Sequence, residues 1–180
     1  MFPRRYFPLI LLWLCCGGCL WSGHGPASPS VLSAPDAVSV EVIRDDLWAA
    51  GGSVVFIPFT PGANAEACPV VDRLSLMIVK GAADVFTERG GKFSFITDGD
   101  AQKAQFVIEG RIEEFDTGSR WKAFGVGKKD VTLKIKGEVR EHKTGEVVAL
   151  IFGYKAFKKT KDSERVAYEL GRSLGEKVQH

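Results

Sequence analysis

The chain predicts an α/β fold: a mixed sheet of about five strands, centred on an antiparallel meander, with two main helices packed on one face. Three observations carry this expectation. Residues 105–151 hold three runs in which apolar and polar side chains alternate, joined by polar connections; a strand sends successive side chains to opposite faces, so such runs read as half-buried strands. Apolar residues recur at helical spacing from Val70 to Phe86 and again from Val166 to Val178, as amphipathic helices require. Hydrophobic content of 45% and charged content of 26% are ordinary for a globular chain, which excludes general disorder.

The first residues stand apart from that fold. Arg4 and Arg5 precede the apolar run Tyr6–Leu14, and Cys15-Cys16-Gly17-Gly18-Cys19 follows. A basic start, an apolar core of about ten residues and small residues before a cut site describe a secretory signal. The run is shorter than the ~20 residues that a spanning helix needs. Cys16-Gly17-Gly18-Cys19 resembles the lipobox of bacterial lipoproteins, in which small residues precede a cysteine that is diacylated and becomes the amino terminus. Cys16 stands where that pattern usually has Leu, and Gly18 gives Cys19 the best small-residue context; Cys15 and Cys16 are the alternative acceptors. A thiol-redox pair at Cys16 and Cys19 would need a helix start inside a folded domain, and haem attachment would need His where Leu20 stands. Two acyl chains, at ~0.8 kcal/mol per buried methylene, would anchor the chain without any spanning helix. In the lipoproteins this resembles, Asp after the cysteine favours the inner membrane, so Leu20 implies the outer membrane, facing the periplasm.

These readings divide the chain into a signal over 1–18, a lipid anchor and tether over 19–37, and one α/β domain over 38–180. Residues 21–35 are rich in Gly, Pro, Ser and Ala, too poor in apolar surface to offset their ordering entropy. Val38, Val40 and Val42 alternate with Ser39, Glu41 and Ile43 as in an edge strand. Gly52–Thr60 is a continuous apolar run, the pattern of a strand covered on both faces, ended by Pro58 because proline cannot donate to a ladder. A helix follows, with Pro69 suited to its first turn and Gly90-Gly91 to its stop. Lys92–Thr97 is a short strand with Phe93 and Phe95 on one face.

In the meander, Phe106, Ile108, Gly110 and Ile112 share a face, as do Val131, Leu133, Ile135, Gly137 and Val139. Gly110 inside a strand predicts a bulge or a close packing partner. The last strand is expected over Glu146–Tyr154, after a Thr144-Gly145 turn. Asp162 or Ser163 caps the final helix, whose stripe is Val166, Leu170, Leu174 and Val178.

Phe106-Val-Ile-Glu-Gly-Arg-Ile112, Gly118-Ser-Arg120, Gly125-Val-Gly127, Val131-Thr-Leu-Lys-Ile135 and Thr144-Gly-Glu-Val-Val148 resemble bacterial envelope lipoproteins of unassigned activity. In these an Ala-Asp-Phe-Val-Ile-Glu-Gly-Arg-Ile strand precedes a glycine-rich loop; here Ala104-Gln105 replaces Ala-Asp. Such proteins look like relatives of the periplasmic domain of the curli-secretion channel lipoprotein and of the amino-terminal domain of the Tol-Pal translocation protein. The resemblance covers about residues 50–178 and implies an α/β sandwich in a cell-envelope protein; it carries no site residue over.

Catalysis needs a nucleophile or base near an orienting partner. His24 lies in the tether, His142 in a hairpin turn and His180 at the carboxyl end, so no catalytic or metal site is expected, nor any cofactor. Cys68 precedes a helix start without a partner cysteine in the domain. Asp98-Gly-Asp100 lacks the later ligands of a calcium loop, and Gly125-x-Gly127-Lys128-Lys129 precedes a strand where a phosphate loop precedes a helix.

The net charge of +2 is too small to argue for nucleic acid. It is uneven, however: residues 1–118 carry 9 cations and 14 anions, residues 119–180 carry 15 and 8. The 116–129 loop, with Arg120, Trp121, Phe124, Lys128 and Lys129, is the candidate surface for a partner or a membrane; Lys155, Lys158, Lys159 and Lys161 could lie beside it. Each cation near an anionic surface is worth ~1 kcal/mol. The chain is thus expected to be a lipid-anchored envelope protein, a non-enzymatic binding or assembly module that meets its own copies or another envelope protein. The alternative is a lipid- or polysaccharide-handling protein working through the basic loop.

Overall fold

The three alternating runs form the expected meander, and the register fixes which side chains meet. In the computed structural model, which describes residues 36–65, 70–116, 130–158 and 162–180, the elements run β1 (Asp36–Val42), α1 (Asp45–Ala50), β2 (Gly52–Phe56), β3 (Thr60–Pro61), α2 (Val71–Arg89), β4 (Phe93–Phe95), a 3₁₀ turn (Asp98–Lys103), β5 (Phe106–Asp116), β6 (Asp130–Glu141), β7 (Val147–Lys158) and α3 (Ser163–Gln179). The seven strands make one mixed sheet in the order β1-β7-β6-β5-β2-β4, with β3 beside β5. β1, β7, β6 and β5 pair antiparallel, whereas β2 pairs parallel to both β4 and β5.

Cross-strand rows build the core. Ile108, Val139 and Ala149 are aligned, as are Ile112, Ile135 and Gly153. This face meets Leu74 and Ile78 of α2 and Leu170 and Leu174 of α3, all buried. Each such side chain contributes about 1.5–3 kcal/mol relative to exposure. The opposite face of the meander carries Glu109, Arg111, Lys134 and Lys136, all exposed. Gly110 and Gly137 are aligned across β5 and β6, and a Cβ on Gly110 would come 2.6 Å from the buried ring of Phe59. The expected packing partner is therefore Phe59, and the bulge falls just beyond it, where the register slips between Ile112 and Glu114.

The helices touch through small residues. A Cβ on Gly81 would strike the Tyr168 carbonyl, and one on Gly171 the Ile78 carbonyl. Ala82, Ala167 and Gly175 complete this buried seam. Its rim is stitched by Arg172 donating to Glu88 at 2.9 and 2.7 Å, Tyr168 to Asp84 at 2.8 Å, and Arg89 to Glu176 at 2.7 Å. Asp162 caps α3 by accepting from the Glu164 amide at 2.9 Å.

Four features depart from the sequence expectations. The sheet has seven strands among the described residues, against the five or so expected. β1 lies at an edge as expected but begins at Asp36, inside the expected tether, rather than at Val38. α1 was not anticipated; its six residues carry one buried anchor, Trp48, whose ring lies 4.9 Å from that of Phe93. β7 continues to Lys158, four residues past Tyr154.

Candidate interaction surfaces

The residues that the sequence singles out, Cys19, Arg120, Trp121, Phe124, Lys128 and Lys129, lie outside the described residues, as do Cys15, Cys16, His24, Cys68, Lys159 and Lys161. The strands that flank them are described, and their register is informative. Asp116 lies opposite Thr132, Asp130 opposite Lys158, and Asp36 opposite Lys155. The 117–129 segment, the 159–161 segment and the chain preceding Asp36 therefore all leave the sheet from one end. Lys155 does not belong to an open basic cluster there. Its side chain is only 16% exposed and its Nζ lies 3.4 Å from Glu169 of α3. Lys155 lies within β7 rather than beyond it, on the strand face that looks toward the helices.

A polar groove of about 470 Å³ lies along β5 and β6, bordered by Pro58, Thr60, Glu109, Arg111, Lys136 and Glu138. The register sets Glu109 opposite Glu138 and Arg111 opposite Lys136. Like charges in such pairs are unfavourable unless bridged. Arg140 bridges the acidic pair, donating to Glu109 at 2.9 Å and to Glu138 close by, with a third bond to the Gly145 carbonyl at 3.0 Å. Lys136 sits 5.8 Å over the Phe152 ring, and Arg111 has Glu113 at 3.9 Å. Among the described residues the lining holds no Ser, Cys or His, and the Thr60 hydroxyl is directed to the Gly110 carbonyl at 3.3 Å.

His142 and His180 are both exposed, and no group of three metal-ligating side chains occurs among the described residues. Perturbed groups lie in ion pairs or against aromatic rings. Arg44 holds the Asp46 carboxyl below its usual range, and Arg172 does the same to Glu88. Burial lowers the Lys92 pKa, its ammonium lying 5.0 Å from the Trp48 ring.

The two margins of the sheet differ in a way the sequence did not signal. At the β4 margin, Gly52 donates to the Lys92 carbonyl at 3.2 Å and Ile96 to that of Val54 at 2.8 Å. Lys92, Ser94 and Ile96 thus turn their main-chain groups to β2, and Phe93 and Phe95 turn theirs outward. Both outward groups of Phe93 are taken by one side chain: its amide donates to Gln179 Oε1 at 3.1 Å, and Gln179 Nε2 donates to its carbonyl at 2.8 Å. Gly91, with φ of 152°, makes room for this, because a Cβ there would lie 2.5 Å from Gln179 Oε1.

At the β1 margin, Ile43 donates to the Val148 carbonyl at 2.8 Å. Antiparallel ladders alternate, so Ala37, Ser39 and Glu41 face β7. Val38, Val40 and Val42 turn their N–H and C=O groups away from it, where no described strand pairs with them. Ile43, at the end of this strand, is 50% exposed.

No family model and no curated protein matches the sequence. Solved structures do match. A PelC variant dodecamer from Paraburkholderia phytofirmans is similar with a TM-score of 0.53 at 17% identity, covering 79% of this chain and 98% of that one. A second PelC dodecamer from the same organism, in another crystal form, gives 0.50 at 17% identity, covering 80% and 97%. At this identity the likeness is one of fold: the chain shares the PelC fold. Among the described residues, no helix is long and apolar enough to cross a membrane.

Proposed function

We propose that this chain is a lipid-anchored envelope protein, acylated at Cys19 and held at the outer membrane, whose α/β domain acts by non-enzymatic self-assembly. The observation that carries the reading is the PelC fold, matched over 98% of a chain that forms a dodecamer. The lipobox-like Cys16-Gly17-Gly18-Cys19 supports the anchor. Two measurements test the reading. Mass spectrometry of the mature amino terminus should find a diacylated cysteine at position 19, lost in Cys19→Ala; an unmodified native terminus would refute lipidation. Sedimentation of the full chain in detergent should give a multimer, and a monomer at every concentration would refute self-assembly.

A second reading is favoured by one observation: the chain before Asp36 and the 117–129 segment leave the sheet from the same end. An anchor attached there would bring Arg120, Trp121, Phe124, Lys128 and Lys129 toward lipid or an acidic polysaccharide. Flotation with anionic vesicles, comparing Cys19→Ala with Cys19→Ala carrying Lys128→Gln and Lys129→Gln, tests it. Equal, salt-insensitive flotation of the two would eliminate the loop as the contact.

A further inference from the structure

We infer that β1 is the self-association edge, and that two copies join through it antiparallel about a two-fold axis at Ser39, extending both sheets into one. The inference rests on the self-assembly reading and adds where the copies meet.

An edge strand presents a row of unpaired N–H and C=O groups, which natural proteins blunt with short strands, proline, charges or a cover. The β4 margin is blunted twice. β4 has three residues, and the Gln179 amide takes the outward main-chain groups of Phe93 much as a neighbouring peptide would. Among the described residues no side chain or strand covers the outer edge of β1, whose only blunting feature is the charge of Asp36 and Glu41. That strand has seven residues, contains no proline, and directs the main-chain groups of Val38, Val40 and Val42 outward.

The strand is also complementary to itself. With the axis at Ser39, Val38 of one copy exchanges both main-chain bonds with Val40 of the other, and Asp36 does so with Val42. Ala37 then stands opposite Glu41, and Ser39 opposite itself. Neither acidic residue meets a like charge, which would be unfavourable directly across a ladder. Val38, Val40 and Val42 of both copies, already packed against their own cores, would line the helix-facing side as one apolar row. A two-fold pair is isologous, and it closes as a dimer or builds into assemblies of dihedral symmetry.

Three full-chain variants in detergent test this. Val40→Pro removes an N–H that points away from β7, so the internal ladder survives while strand addition is blocked. Ser39→Lys sets two ammonium groups against each other at the axis, on the face away from Val38, Val40 and Val42. Ser39→Cys places two thiols at a non-hydrogen-bonded pair, where Cα atoms approach to ≈ 4.5 Å, within disulfide reach.

The expected result is that Val40→Pro and Ser39→Lys each weaken association by roughly tenfold or more with native-like circular dichroism. Ser39→Cys should give, on oxidation, a disulfide between position 39 of two copies in peptide mass spectra. If Val40→Pro fails to fold, Ser39→Lys and the cross-link decide. A multimer of native mass in the variants, with no link at position 39, overturns the edge assignment and leaves self-assembly standing. A native chain that is monomeric throughout overturns both.

Discussion

The two margins of the sheet pose one physical problem and receive opposite treatment. At β4, a side chain from the end of α3 completes the ladder that the fold leaves open, bonding both main-chain groups of Phe93. At β1, Val38, Val40 and Val42 keep theirs free of any described strand. A buried or half-buried main-chain group without a partner costs free energy comparable to a lost hydrogen bond. The closed margin therefore belongs to the stability of one domain, and the open one is available to association. The difference cannot be read from strand propensity, since Val-Ser-Val-Glu-Val and Phe-Ser-Phe are both good strand sequences.

Closure of the β4 margin depends on a distant seam. Gln179 reaches Phe93 only if α3 keeps its place against α2, and that place is set where Gly171 touches the Ile78 carbonyl. Gly171→Leu must push the helices apart. Its expected cost is about 3 kcal/mol, at the upper end of overpacking effects, with loss of the Phe93 closure as well. Thermal or urea unfolding checks the first, and amide exchange at Phe93 the second. A variant within 0.5 kcal/mol (about the scatter of surface substitutions) would contradict the tight seam.

Gln179→Ala is the more selective break. It leaves the seam intact and removes two hydrogen bonds from a half-buried main chain, for an expected loss of about 1–3 kcal/mol. It also turns β4 into a second open margin, so aggregation on prolonged incubation should increase. Unchanged stability would mean that water serves Phe93 as well as Gln179 does.

The smallest effect is that of acid. Arg172 lowers the Glu88 pKa below its ordinary 4.5, and Arg44 lowers that of Asp46 below 3.8. A carboxyl whose folded pKa is depressed stabilises the fold above its unfolded value. That contribution is lost as pH falls through the lower folded value. Stability should thus decline modestly below about pH 4. Both carboxylates lie in solvent-exposed pairs, so the decline is small and screened by salt. Arg172→Ala should flatten the part due to Glu88; an unchanged acid slope in that variant would show that the pair carries no weight.

Much of this architecture is legible in the sequence, because a period of two or of 3.6 survives wherever a face is buried. The meander faces, the Val166–Val178 stripe, the glycine stop after α2 and the cap at Asp162 all follow from such local rules. Other features depend on contacts between distant residues. Six residues around Trp48 are too few to show a period, and β3 is two residues ending in Pro61. The end of β7 was missed because Lys155 reads as solvent-seeking, yet its amine reaches Glu169. Gln179 looks like an ordinary polar terminus until α3 brings it beside Phe93. One missed signal was available: Ala167, Gly171 and Gly175 recur every four residues next to the apolar stripe, a spacing that marks close helix contact. The open margin was half legible, since β1 was expected at an edge; that its neighbour is β7, the last strand, was not.

Amide hydrogen exchange resolved to single residues tests the central claim most directly, by following β1 in the concentrated and the diluted full chain. The account predicts that Val40 is protected in the concentrated sample and exchanges rapidly on dilution, while Ser39 and Glu41, bonded to β7, stay protected in both. Rapid exchange of Val40 in a sample shown by sedimentation to be multimeric would contradict it, because the copies would then be meeting somewhere other than the open margin.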